Sequence, residues 1–265
     1  MTNHLLTEVR DGIATATLNR PDVLNALSPD MMAALIEFLG NIERDRAVRC
    51  VVFRGAGDHF MAGGDVKRFA GMADMTGEER RKEMEASIHR LHPAIFLLRR
   101  MPKPVIASVR GAAAGFGLSL AMACDLVIAS EDSFFTLAYV NIGTSPDGSG
   151  TYFLPRLVGL KKAMEIALLG DRFDAAAARA MGVVNFVVPT DELEAETTKL
   201  ARRLADGPTR AIGNTKRLLN ASLGRSLESQ LEAEALAFAD CASTDDWAEG
   251  VTAFVEKRAP RFRGE

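Results

Sequence analysis

Two glycine-rich turns carry the residue types from which a carbonyl oxygen can be polarised. The first, Gly55-Ala56-Gly57-Asp58-His59-Phe60-Met61-Ala62-Gly63-Gly64-Asp65, follows the strand-like run Cys50 to Phe53 and precedes the helix-like run Val66 to Ala70. Asp65 stands where a helix N-cap is expected. The second, Gly111-Ala112-Ala113-Ala114-Gly115-Phe116-Gly117, follows the strand-like run Pro104 to Val109 and opens the apolar helix Leu118 to Ala123. Backbone N–H groups lack partners at strand-to-helix turns, and the helix dipole adds partial positive charge. Two such junctions can aim two donors at one oxygen on which negative charge develops. The competing reading of Gly63-Gly64 is a turn without chemistry.

Proton transfer needs a further group, which these turns do not supply. Asp147, in Ile142-Gly143-Thr144-Ser145-Pro146-Asp147-Gly148-Ser149-Gly150-Thr151, reads locally as the cap of a helix starting near Gly148. Other chemistries find no complete pattern. Gly115-Phe116-Gly117 begins a dinucleotide fingerprint, but Leu120 occupies the third glycine's place. Gly143-Thr144-Ser145-Pro146-Asp147 fails the nucleophile-elbow pattern at its last position. The histidines, His4, His59, His89 and His92, show no metal-ligand spacing, so no metal is expected.

The elements that must position these residues alternate in the first half. Leu5 to Arg10 and Ile13 to Asn19 read as a hairpin joined at Asp11-Gly12. Ser28 caps a helix with Pro29 at its first position, running to about Arg44. The strand Cys50 to Phe53, a long amphipathic helix Glu78 to Met101 ended by Pro102 and Pro104, and strands Val105 to Val109 and Asp125 to Ala129 follow. Strands alternating with helices predict an α/β fold with a mainly parallel sheet. The second half reads as helices, Leu160 to Leu169, Ala175 to Met181, Leu193 to Asp206, Arg210 to Leu223, Leu227 to Cys241 and Trp247 to Arg258, with one short strand, Asn185 to Val188.

Composition narrows the function classes. The chain has 265 residues, 48% hydrophobic and 25% charged, with a net charge of -3. That suits a soluble globular protein with a sizeable core and disfavours nucleic acid as the main partner. Cys50, Cys124 and Cys241 form no C-x-x-C pair, which predicts a reducing compartment. With neither a signal-peptide pattern nor an apolar run long enough to span a bilayer, the expected location is the cytoplasm, away from membranes.

Five segments in order resemble the crotonase (enoyl-CoA hydratase/isomerase) family: Thr17 to Leu27, Phe60 to Asp65, Gly111 to Asp125, Pro146 to Thr151 and Glu249 to Arg258. The resemblance covers nearly the whole chain. It implies the crotonase spiral of right-handed ββα turns over residues 1–200 and a helical oligomerisation region over 201–265. It also implies that Gly64 and Phe116 donate the two oxyanion-hole N–H groups. The two glutamates of family hydratases match Ser119 and Tyr139, neither of which is a carboxylate. Asp147 matches the sole catalytic carboxylate of a subset of relatives, including the phenylacetate-pathway isomerases and the aryl-CoA dehalogenases, which implies that it faces the acyl pocket, where burial raises its proton affinity as a shuttle requires. The dehalogenases add a histidine base, which His92 matches. The resemblance therefore implies an isomerase acting through Asp147, with a hydratase, a dehalogenase-like enzyme or a CoA-thioester binding protein as alternatives. Substrate contacts are implied for Val23, Ala62, Asp65, Val66, Ser119, Tyr139 and Ile142, and, from a neighbouring subunit, for Phe254 and Lys257. A lysine common near the phosphates is replaced by Asp22. The expected partners are an acyl-CoA substrate and further copies of the chain in a homotrimer or dimer of trimers. Coenzyme A enters only as part of the substrate.

Overall fold

The computed structural model describes residues 3–265. The expected hairpin forms from β1 (Leu5–Arg10) and β2 (Ile13–Leu18), paired antiparallel. Asp11 and Gly12 take φ of 50° and 77°, the positive values that a two-residue hairpin turn requires. A 3-10 turn, Pro21–Val23, leads to α1 (Pro29–Arg44). Its N-cap is Ser28, whose Oγ accepts from the Met31 N–H at 3.1 Å and lies 2.8 Å from His4 Nδ1. Ser28→Ala removes both contacts and is expected to cost about 1 kcal/mol of stability. Urea unfolding checks this, and an unchanged midpoint would contradict it.

The chain continues through β3 (Cys50–Gly55), α2 (Val66–Ala70), α3 (Gly77–Arg100), β4 (Val105–Val109), β5 (Ala112–Ala114) and α4 (Phe116–Ala123). Next come β6 (Leu126–Ser130), β7 (Phe134–Thr136), a 3-10 turn Tyr139–Ile142, α5 (Gly150–Val158), α6 (Leu160–Leu169) and β8 (Phe173–Asp174). The remainder is α7 (Ala175–Ala180), β9 (Phe186–Val188), α8 (Leu193–Ala205), α9 (Thr209–Ser222), α10 (Leu227–Ala242) and α11 (Asp245–Val255).

A six-stranded sheet has the order β1-β2-β3-β4-β6-β9 and is parallel beyond the hairpin. The four apolar residues of β3 and all of β4, including Ser108, are buried, as near-continuous apolar runs in a sheet covered on both faces should be. A second sheet, β5-β7-β8, was not expected. Its strands are two or three residues long, too short for periodicity, and Ala112-Ala113-Ala114 has little β-propensity.

Several boundaries differ from the sequence reading. The second junction's helix starts at Phe116, not Leu118, which puts the Phe116 N–H at its N-terminus. Helix α5 starts at Gly150, two residues past the start near Gly148 that the sequence offers, and its run through the internal Pro155 to Val158 was not legible. The last helix ends at Val255, and Lys257 lies beyond it with a φ of 55°. Asp125 falls just outside its expected strand. Its carboxylate instead accepts the Val105 N–H at 2.8 Å and pairs with the buried Lys216 at 2.7 Å. Lys216 also donates to the carbonyls of Leu98 and Lys103, so α9 is tied to the end of α3 and the start of β4.

Candidate active site

The two glycine junctions meet. Gly63 and Gly115 take φ of 85° and 52°, values that a residue with a Cβ rarely adopts. Their backbones touch: a Cβ added to Gly115 would lie 3.4 Å from Gly63 Cα, and one added to Gly63 would lie 3.5 Å from the Phe116 nitrogen. Backbone hydrogen bonds from Met61 to Ala112 O and from Ala114 to Met61 O hold the segments together. The N–H groups of Gly64 and Phe116 thus come side by side, and neither donates to a protein acceptor among the described residues. Phe116 heads α4, so its N–H also carries that helix's positive end.

A cavity of about 500 Å³ opens onto these donors. Of the expected site residues, Ala62, Gly64, Val66, Phe116, Tyr139, Ile142 and Asp147 line it. Sequence reasoning missed its far wall, Met84, Ile88 and Leu91 of α3 beside His92, and the Phe69 ring. The spacing of Met84, Ile88 and Leu91 marks one helix face, but nothing local says what that face covers. A larger groove, about 710 Å³, runs along β2, β3 and α8. Arg54 pairs there with Glu8 and Glu194, and none of the candidate residues borders it.

Asp147 does not cap α5. The N-cap is Ser149, in the left-handed region and without a side-chain cap bond. Instead, Asp147 Oδ1 accepts the Tyr139 hydroxyl at 2.6 Å. Ser119, fully buried behind the cavity, donates through Oγ to the Asp147 backbone carbonyl at 3.1 Å and lies 3.5 Å from the Tyr139 oxygen. The adjacent Gly148 has a φ of 56°, and the Phe116 ring lies where its Cβ would be, 2.4 Å away. Burial raises the proton affinity of Asp147 above the ordinary carboxylate range, while the Tyr139 hydrogen bond and the charge of His92 pull partly against it. Burial and the neighbouring carboxylate push the Tyr139 phenol far up, so it stays a neutral donor.

The other expected contacts lie outside the cavity. Val23 sits in the Pro21–Val23 turn. Asp65 caps α2 through the Arg68 N–H at 3.4 Å and pairs with Arg20 at 2.9 Å, which holds its carboxyl below the usual range. Phe254 is 86% exposed and borders a separate groove with Trp247 and Phe262; Lys257 also lies away from the cavity. No cluster of three or more His, Cys, Asp or Glu suited to a metal occurs among the described residues.

This arrangement can stabilise an oxyanion and carry one proton beside it. A sequence profile described as Enoyl-CoA hydratase/isomerase matches residues 8–265. The chain is 38% identical to the 1,2-epoxyphenylacetyl-CoA isomerase of Escherichia coli over 266 residues, covering 100% of both chains. It is 34% identical to the short-chain-enoyl-CoA hydratase of Clostridium acetobutylicum, over 97% of this chain and 96% of that one. Among solved structures, an enoyl-CoA hydratase from Polaromonas sp. superposes with a TM-score of 0.91 at 35% identity, covering 98% of this chain and 99% of that one.

Proposed function

Because the chain belongs to the enoyl-CoA hydratase/isomerase family, whose enzymes act on acyl-CoA thioesters, we propose that it is an isomerase that moves the double bond of an enoyl-CoA with Asp147 as its proton carrier. The observation that carries this reading is that Asp147 is the sole carboxylate lining the cavity among the described residues. Hydration by a carboxylate pair needs a second, and the two matching positions hold Ser119 and Tyr139.

The thioester oxygen accepts the N–H groups of Gly64 and Phe116. Asp147 takes a proton from C2 of a 3-enoyl-CoA. The C2–H electron pair delocalises through the former double bond, and the charge of the resulting dienolate rests on the thioester oxygen. Asp147, now neutral, returns the same proton at C4, leaving the 2-enoyl product. Each oxyanion donor contributes about 3 kcal/mol to the barrier reduction. Burial helps by keeping the carboxylate's proton affinity near that needed at working pH.

The E. coli relative is named as a 1,2-epoxyphenylacetyl-CoA isomerase, which supports including a phenylacetate-type substrate in this reading. Ala62 and Val66 border the acyl cavity, and the nearby Val23 and Asp65 lie on the expected CoA path. Phe254 and Lys257 of a neighbouring copy complete that path in a homotrimer or dimer of trimers. Residues 201–265 supply the contacts, and exposed Leu219 on α9, Leu223 just after it, and Leu231 and Phe238 on α10 support this role. No resident cofactor is needed. No described helix is long and apolar enough to cross a membrane, and we place the enzyme in the cytoplasm.

Turnover of a 3-enoyl-CoA and of crotonyl-CoA, followed in parallel by conjugated-thioester absorbance, tests the reading. Formation of 2-enoyl product with little loss of crotonyl-CoA is expected. Rapid loss of crotonyl-CoA absorbance would make the enzyme a hydratase, the activity named for the Clostridium relative.

A further inference from the structure

We infer that Tyr139 is a positioning residue for Asp147: its hydroxyl pins Oδ1 and leaves Oδ2 as the one oxygen that carries the proton between the two carbons. This rests on the isomerase reading for its catalytic consequence, but the tether itself does not.

The loop from 139 to 149 is built around this contact. Tyr139 begins a 3-10 turn after Ala138, whose φ is 51°, and the Thr144 N–H returns to the Tyr139 carbonyl at 3.2 Å. The chain then folds back, so Asp147 Oδ1 meets the phenol at 2.6 Å. Among the described residues, no other side chain hydrogen-bonds the Asp147 carboxyl. Gly150 leaves room for Ser119 Oγ, which a Cβ there would approach to 2.9 Å, and Ser119 in turn holds the Asp147 carbonyl. Both ends of the aspartate are therefore fixed by neutral hydroxyls.

The chemistry of the pair suits a shuttle. A carboxylic acid protonated at Oδ2 still offers Oδ1 as an acceptor, so the phenol holds the group in both half-reactions. The carboxyl plane cannot turn between proton removal and return. Both transfers then occur from one face through one atom.

Tyr139→Phe keeps the buried ring and removes the tether. Its kcat for a 3-enoyl-CoA is expected to fall about 10- to 100-fold, with KM within about threefold, since the variant loses alignment rather than binding area. The acid limb of kcat/KM should move to higher pH, because the lost bond favoured the carboxylate. The other charged or titratable groups bordering the cavity, His92 of α3 and Arg68 of α2, are the same in both proteins. The Asp147 carboxyl is followed independently by carbon NMR in the substrate-free protein, its signal identified by its loss in Asp147→Asn. It should titrate higher in Tyr139→Phe; an unchanged titration overturns the tether whatever the substrate. Failure of the parent to isomerise any 3-enoyl-CoA would instead overturn the isomerase reading, leaving the titration to decide the tether. Should Tyr139→Phe not fold, uniform 3-fluorotyrosine labelling reverses the perturbation, because the chain has only two tyrosines. Its more acidic phenol donates more strongly, so the Asp147 titration should move to lower pH. No movement would count against the inference.

Discussion

Asp147→Asn is expected to lower kcat for a 3-enoyl-CoA by about 100- to 10,000-fold, the range of a lost general acid–base group, while acyl-CoA binding persists. Asparagine keeps the shape, and its carbonyl can still accept from Tyr139, so the loss isolates proton transfer. Calorimetric titration with a saturated acyl-CoA checks binding, and turnover within tenfold of the parent would sink the shuttle. The same variant should be more stable. Burial raises the Asp147 proton affinity in the folded state. The group therefore contributes stability below the unfolded carboxylate range, and this is lost as pH rises through the raised value. At neutral pH the parent folds around a partly desolvated charge that asparagine lacks, a difference of about 1 kcal/mol. Thermal melts should place the variant above the parent at pH 7.5 and level with it below the ordinary aspartate value of ~3.9. A lower melting temperature at pH 7.5 would contradict this.

Gly117→Ala should be damaging without touching an acid or base. A methyl group there would meet Met61 O at 2.2 Å and Met61 C at 2.9 Å. Met61 O is the acceptor for Ala114, the bond that seats one junction on the other. The methyl must push Met61 to Gly64 away from α4 and spread the two donors. Overpacking of this kind costs about 1–3 kcal/mol of stability, and loss of one oxyanion donor costs about 100- to 1,000-fold in kcat. Gly40→Ala is the control: it lies in α1 with nothing within 4 Å of an added Cβ, and alanine in a helix interior is favoured by about 0.5–1 kcal/mol. Equal kcat for both variants would mean that the junction tolerates displacement.

Much of the framework was legible because its signals are local. The Asp11-Gly12 turn, the Ser28 and Asp65 caps and the proline-terminated α3 each depend on residues only a few positions apart. The apolar runs of β3 and β4 identify buried parallel strands for the same reason. Asp147 was harder: its flanking glycines and serines also fit a helix cap, and only its long-range neighbours exclude that. Tyr139 was expected at the substrate, yet its hydroxyl is bound to Asp147, a geometry set by how the intervening loop closes. The short second sheet escaped notice because two- and three-residue strands carry almost no periodic signal, and α5 was legible only as a helix start near Gly148, not in its extent.

By itself, the sequence determined that two strand–glycine–helix junctions exist, while its resemblance to the crotonase family singled out Asp147 and put Ser119 and Tyr139 where the paired glutamates of a hydratase stand. Tertiary structure alone decided that Gly63 and Gly115, 52 positions apart (115 − 63), touch through their backbones. It also decided that Met84, Ile88 and Leu91 close the cavity and that Asp147 turns one oxygen to Tyr139. The division follows from range. Caps, turns and strand propensity act through neighbouring dihedrals and can be read along the chain. The site depends on which backbones approach within van der Waals distance, and that is set by the packing of the whole core.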